Sequence, residues 1–230
     1  MKHARLIIIL FAALVLGFLS VALFHNREPR YQGRTLTEWI EDAASANMDN
    51  LGAHNGDMHS LTNDPTWQAA SRAVKQMASD AIPWLLKSLQ IRDSSLKRKM
   101  AYWLEAHPSL HFQIRRDFEY NGTAVQGLIL LGDDASAAWP VLIQLTQSSD
   151  ANVRRHALMA LAEAKFDKEI WLSVLTRSIH DPVESVRKWA ALMYFKRFPE
   201  EAKAAGALEI SPLLKKLETE HQSTNQLRSK

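Results

Sequence analysis

Seven basic residues recur at comparable places along this chain: Lys97, Arg98 and Lys99, then Arg154 and Arg155, then Arg187 and Lys188. Ammonium and guanidinium groups suit anion recognition, so aligned on one face they would make a basic ridge for an acidic protein segment or anionic headgroups. The competing use is architectural. Arg154 and Arg187 follow the turn acids Asp150 and Asp181 in sequence, and pairing with such acids or with nearby carbonyls would fix how repeated units stack. Residues 71–116 carry nine basic residues against three acidic, so an electrostatically active face is expected there.

The other reactive residue types form weaker patterns. His54, Asp57, His59 and Asp64 are of metal-binding kinds, yet the histidines are five apart, off the i, i+4 spacing that sets two ligands on one helical face. They read as a solvated loop. His107 and His111 flank Pro108 with no carboxylate or nucleophile at a recognisable spacing, and Glu163, Glu169 and Glu184 offer no acid/base pair. Phosphate-binding glycine loops and nucleophile elbows do not occur. With no cysteine, disulfides, thiolate metal sites and cysteine nucleophiles are excluded. No catalytic, metal-binding or cofactor-binding residue is expected, and the chain reads as a non-enzyme without a cofactor.

The elements that position the basic residues are short amphipathic helices. Pro140-Val-Leu-Ile-Gln-Leu, a turn at Asp150 and Val153-Arg-Arg-His-Ala-Leu make one pair; Ile170-Trp-Leu-Ser-Val-Leu, a turn at Asp181-Pro182 and Val186-Arg-Lys-Trp-Ala-Ala make the next. Leu142 and Leu145 recur as Leu172 and Leu175 after 30 residues, and Val153, Arg154 and Ala157 as Val186, Arg187 and Ala190 after 33. A displacement of 57 relates Pro83, Leu85, Leu96, Lys97, Arg98 and Leu104 to Pro140, Leu142, Val153, Arg154, Arg155 and Leu161. Helical pairs at such a period bury their apolar faces on their neighbours. Trp84, Trp139, Trp171 and Trp189 fall at or beside core positions and read as packing.

The formal net charge of +3 sits in the first thirty residues, where Lys2, Arg5, Arg27 and Arg30 face Glu28 alone; from Tyr31 onward 24 basic residues meet 24 acidic. A duplex binder normally carries a cationic surplus, so nucleic acid is not the expected partner. Leu6 to Phe24 is nineteen residues without a charge and would span roughly 29 Å as a helix. That length fits a bilayer core better than a shorter cleavable signal. The expected organisation is a charged flank 1–5, a membrane helix 6–24, a linker 25–35, a capping helix with a polar loop 36–66, a repeat domain 67–217 and a polar tail 218–230. Thr35 and Glu38 have capping-box spacing, and Leu36, Trp39, Ile40 and Ala43 form one stripe. Pro83 is expected in the first turn of a helix that meets its predecessor near Asp80.

Ala81-Ile-Pro-Trp-Leu-Leu-Lys-Ser-Leu, Ala138-Trp-Pro-Val-Leu-Ile-Gln-Leu, Asp150-Ala-Asn-Val-Arg-Arg-His-Ala-Leu and Asp181-Pro-Val-Glu-Ser-Val-Arg-Lys-Trp-Ala resemble HEAT repeats of the lyase-type, HEAT-like subgroup. The segment Tyr31-Gln-Gly-Arg-Thr-Leu-Thr-Glu-Trp is similar to one found between a membrane helix and HEAT repeats in bacterial proteins. The resemblance covers 67–217, is strongest over 138–198, and lapses over 106–123. It implies an all-α, right-handed α-α superhelix, here behind a single N-terminal transmembrane helix, used as a scaffold that binds another protein on its concave, second-helix face. Relatives that act on tetrapyrrole attachment or as DNA glycosylases supply two other readings, a lyase-like chaperone for a pigment or cofactor and a nucleic-acid enzyme. The repeat motif carries no catalytic residues to transfer. The expected location is the membrane, single-pass, with the repeat domain on the extracytoplasmic, periplasmic side.

Overall fold

Residues 28–53, 64–162, 164–212, 214–216 and 218–219 are described by a computed structural model. The expected membrane helix 6–24 and its flank, His54, Asp57, His59, Glu163 and nearly all of the tail lie outside the described residues. The chain enters through a two-residue hairpin, β1 (Arg30–Tyr31) against β2 (Arg34–Thr35), with Arg30 opposite Thr35. Gln32 at φ +51° and Gly33 at φ +80° close it; two left-handed residues are what a type I′ turn requires. Helix α1 (Leu36–Ala53) then starts on its capping box: Thr35 N–H donates to Glu38 Oε2 at 2.6 Å and Glu38 N–H to Thr35 Oγ1 at 3.2 Å. Leu36, Ile40 and Ala43 are buried at successive turns. The helix runs past Asn47, where composition predicts a loop. The stretch contains no proline, and extending a nucleated helix through Asn, Asp or one Gly costs at most about 1 kcal/mol per residue.

Nine further helices follow among the described residues: α2 (Pro65–Gln76), α3 (Ala78–Ser88), α4 (Ser95–Glu105), α5 (Asp117–Leu131), α6 (Trp139–Leu145), α7 (Ala151–Ala160), α8 (Lys168–Ser178), α9 (Glu184–Arg197) and α10 (Pro199–Ala204). Asp64 caps α2 through Thr66 and Trp67 N–H, Ser94 caps α4 through Lys97 N–H, and Asp150 caps α7 through Asn152 and Val153 N–H. Only Met77 separates α2 from α3, three residues before the expected boundary, so Pro83 lies inside α3. Its ring removes one helical hydrogen bond, on a side where it is exposed to water.

The stack is all-α, and its second layer departs from the register of 57. Leu85 and Leu142 are both fully buried, as that register expects, but Leu96 is 67% exposed where Val153 is 4% exposed. Helix α4 stands off the stack beside the 3₁₀ turn Pro108–Leu110, and α5 takes the place against α3, flanked also by α1, α2 and α7. Apolar area decides this. α5 buries Ala124, Val125, Leu128, Leu130 and Leu131, whereas α4 buries Ala101 alone, and each buried side chain of leucine size contributes about 1.5–3 kcal/mol. Gly127 lets α5 approach closely: a β-carbon there would lie 2.7 Å from Leu85 Cδ2 and 2.8 Å from Ile40 Cδ1.

The consecutive second-layer helices are therefore α5, α7 and α9, each packed on the next. Their equivalent positions, Asn121, Ala124 and Leu128, then Arg154, Ala157 and Leu161, then Arg187, Ala190 and Tyr194, are 33 apart. One continuous core runs from Leu36 to Leu214. Among the described residues, Asp117–Leu145 is long and apolar enough to cross a membrane, with 33% of its most apolar window buried. It is α5, a 3₁₀ turn opened by Gly132 at φ +58°, and α6, and it forms the centre of this core.

Candidate partner-binding surfaces

The basic residues divide between stack joints and open surface. Arg154 is 8% exposed. Its Nε and Nη2 donate to the two Asp181 carboxylate oxygens at 2.6 and 2.8 Å, and Nη1 donates to Ser148 O at 2.8 Å and Ser149 O at 3.2 Å. The planar fork thus joins its own turn to the turn of the next unit. Arg187 Nη1 repeats the inner half, donating to Asp181 O at 2.7 Å and Pro182 O at 2.9 Å. In the first unit the same work falls to Asn121, whose Nδ2 donates to Ser88 O, Leu89 O and Ile91 O at 2.9 to 3.3 Å. Burial would raise the Asp181 carboxyl, but bonds from Arg154 and Val183 N–H hold it below the ordinary carboxylate range, and Asp181 in turn raises Arg154.

Lys97 is likewise engaged, its Nζ 2.6 Å from the buried Asp93 carboxylate, which also accepts from Arg116 Nε at 3.0 Å. Burial works to raise Asp93, yet the bonds from Lys97, the Asp117 backbone and Arg116 leave it lowered. Lys188 pairs with Glu184 at 2.6 Å on an exposed surface, where water and salt screen the contact. Arg98 and Lys99 are exposed without an ion-pair partner among the described residues. The seven do not form one ridge, because α4 is not in the row of α5, α7 and α9.

What that row presents is different. Arg155 and Lys188 are equivalent on α7 and α9, as are His156 and Trp189, and Met159 and Leu192. Arg155, Met159, Trp189 and Leu192 are half-buried, and Lys188 is exposed. Arg155 Nε and Trp189 Nε1 are buried polar atoms with no hydrogen-bond partner among the described residues, and Arg155 Nη2 lies 3.5 Å from His156 Nε2. Burial, then the Arg155 charge, pushes the His156 imidazole below its ordinary pKa, against opposing effects of Asn152, Asp150 and Asp117. Sequence reasoning passed over His156, Met159 and Leu192; the 33-residue spacing that aligns Arg154 with Arg187 also aligns them.

A second feature lies at the other end. The connector 106–116 and α4 enclose an open groove of about 880 Å³, lined by Leu104, Phe112, Ile114, Arg115 and Phe118 with Glu41, Glu105 and Glu119. The acids do not converge as an acid/base pair. Glu41 faces Arg115 at 3.8 Å, Glu105 faces Arg116 at 3.7 Å, and Glu119 Oε2 accepts from Arg116 N–H at 2.5 Å. His107 stacks on Trp103 with ring centroids 4.4 Å apart, while His111 bonds to Ser109 O, so the two histidines do not act together. No metal-binding cluster occurs among the described residues. Beside the groove Leu96, Met100, Trp103, Leu110 and Phe112 are all exposed. The spacing of Leu96, Met100 and Trp103 at i, i+4 and i+7 was the available signal, masked by the apparent repeat that placed Leu96 in the core.

Residues 113–195, about a third of the chain, match the family model described as HEAT repeats. That segment begins just before α5 and ends within α9, so it starts with the helix that displaces α4. Neither the curated proteins nor the solved structures gave a match.

Proposed function

We propose that this chain, a HEAT-repeat protein, is a membrane-anchored, non-enzymatic scaffold that binds another protein across its concave, second-helix face. HEAT repeats commonly mediate protein interactions, and the face formed by α7 and α9 has the composition of a binding surface. The observation that carries the reading is the surface row that α7 and α9 share, half-buried Arg155, Met159, Trp189 and Leu192 with exposed Lys188. Arg and Trp ringed by apolar side chains are also the residue types that dominate interface energetics. Arg155 and Lys188 are the proposed cationic contacts, with Arg154 and Arg187 holding the helices that carry them.

The anchoring is proposed from Leu6 to Phe24, and the extracytoplasmic placement from the short basic start before it. The test is a photo-crosslinking residue at Leu192 in the full chain in cells. Capture should fall at least tenfold in an Arg155→Glu/Lys188→Glu variant with unchanged circular dichroism. Equal capture by that variant overturns the assignment of the face. Salt-dependent retention of the protein on DNA would favour the nucleic-acid alternative, against which the balanced charge from Tyr31 onward already argues.

A further inference from the structure

We propose that the outward face of α4, with the connector after it, is a second docking surface, one that lies in the interfacial layer of an anionic lipid bilayer. On α4 the inward positions are Lys97, Ala101 and Leu104, and the stripe adjoining them round the helix is Leu96, Met100 and Trp103, respectively 67%, 49% and 55% exposed. Leu110 and Phe112, 51% and 68% exposed, extend it along the connector. A contiguous patch of large apolar side chains on a charged helix is not an ordinary protein surface. Lys99 borders the stripe, while Arg98 lies on the far side of the helix, both exposed; the only acid on the helix, Glu105, is next to Arg116. Leucine, methionine, tryptophan and phenylalanine edged by the Lys99 ammonium fit an interface whose outer part is phosphate and whose inner part is acyl chain.

The occupant follows from where the chain enters. Glu28 lines a small cavity with Arg115 and Tyr120, and Arg115 also lines the groove that holds Phe112 and Phe118. Three residues separate Glu28 from the uncharged segment ending at Phe24, a reach of at most about 14 Å. A bilayer entered by that segment therefore meets the molecule at the α4 end. This inference rests in part on the proposed anchoring, and the experiment separates the two.

Because the chain has no cysteine, Met100→Cys creates a unique site for an environment-sensitive fluorophore. The labelled full chain is placed in vesicles of phosphatidylcholine with or without phosphatidylglycerol, carrying nitroxide-labelled lipid. The expected result is quenching at Met100→Cys, strengthened by phosphatidylglycerol, with a Ser173→Cys control on exposed α8 unquenched. Removing Lys99 should shift the docked population about fivefold, and removing Arg98 should shift it less. A Leu96→Asp/Trp103→Asp variant should still float with vesicles, held by its anchor, while its label returns to water. Three results overturn the proposal: a Met100 label quenched no more than the control, quenching indifferent to Leu96→Asp/Trp103→Asp, or shielding that tracks protein density and ignores the quencher. The last would mean that a second copy covers the face. Failure of the parent chain to float would instead refute the anchor.

Discussion

Arg154 and Asp181 illustrate how much a single pair can hold when both partners are nearly buried, with side chains 10% and 8% exposed. Taking one away leaves the other charged and dry, which typically costs about 3–5 kcal/mol, whereas replacing both by apolar groups costs far less. Arg154→Ala should therefore lower the chemical-denaturation midpoint strongly, and Arg154→Met/Asp181→Leu should recover most of the loss. A double variant as unstable as the sum of the singles would show that the bond is not what couples the two turns. His156 is the second residue with a measurable consequence. Its folded pKa is lowered by burial, so the unfolded chain takes up a proton that the folded chain excludes once pH falls below about 6.5. Stability from this group is complete above that value and declines as acid is added. Asp93 and Asp181, whose folded pKa values are also lowered, lose their contributions only below about pH 4, as their carboxylates protonate. Comparing unfolding free energies at pH 7 and pH 5, His156→Leu should flatten the difference; an undiminished slope would point to another group.

At the scale of helices, the choice of α5 over α4 as the partner of α3 is the event that shapes the N-terminal half. Gly127 is its most exposed dependency in physical terms, since Leu85 and Ile40, the neighbours of its absent β-carbon, are 0% and 1% exposed and have nowhere to move. Gly127→Val should destabilise by about 1–3 kcal/mol through overpacking, read by thermal unfolding; a neutral result would mean that α5 can shift away from α3. This helix also marks the limit of what could be read from the sequence. The two units from Trp139 to Arg197 are legible because Val, Arg and Ala recur in register. So is the start of α1, because Thr35 and Glu38 declare their capping box locally. The first unit is not, since Asn121 does with one amide what arginine does elsewhere, and the Pro83-to-Leu104 match placed Leu96 in a core it does not enter. Local composition cannot rank two helices competing for one slot; only the area each buries can. The same holds for the binding surfaces. Basic residues are visible in sequence, but whether a guanidinium is spent on a carbonyl or left in water depends on which helix lies beside it.

For the whole molecule, the order of contact puts the division between scaffold and appendage within 89–116. Helices α1, α2 and α3 are held to α5 by packing at Gly127 and by Asn121, and Arg115, just before α5, adds contacts to Thr37 and Glu41 of α1. The covalent path through Pro108 to Gln113 is thus expected to be dispensable once folding is complete. A protease that cuts there, at exposed residues, should yield two pieces that migrate as one particle on a sizing column and part only in denaturant. If so, the protein can be supplied as two separately expressed fragments that find each other, with the joint between them made by a glycine and an asparagine rather than by the peptide chain.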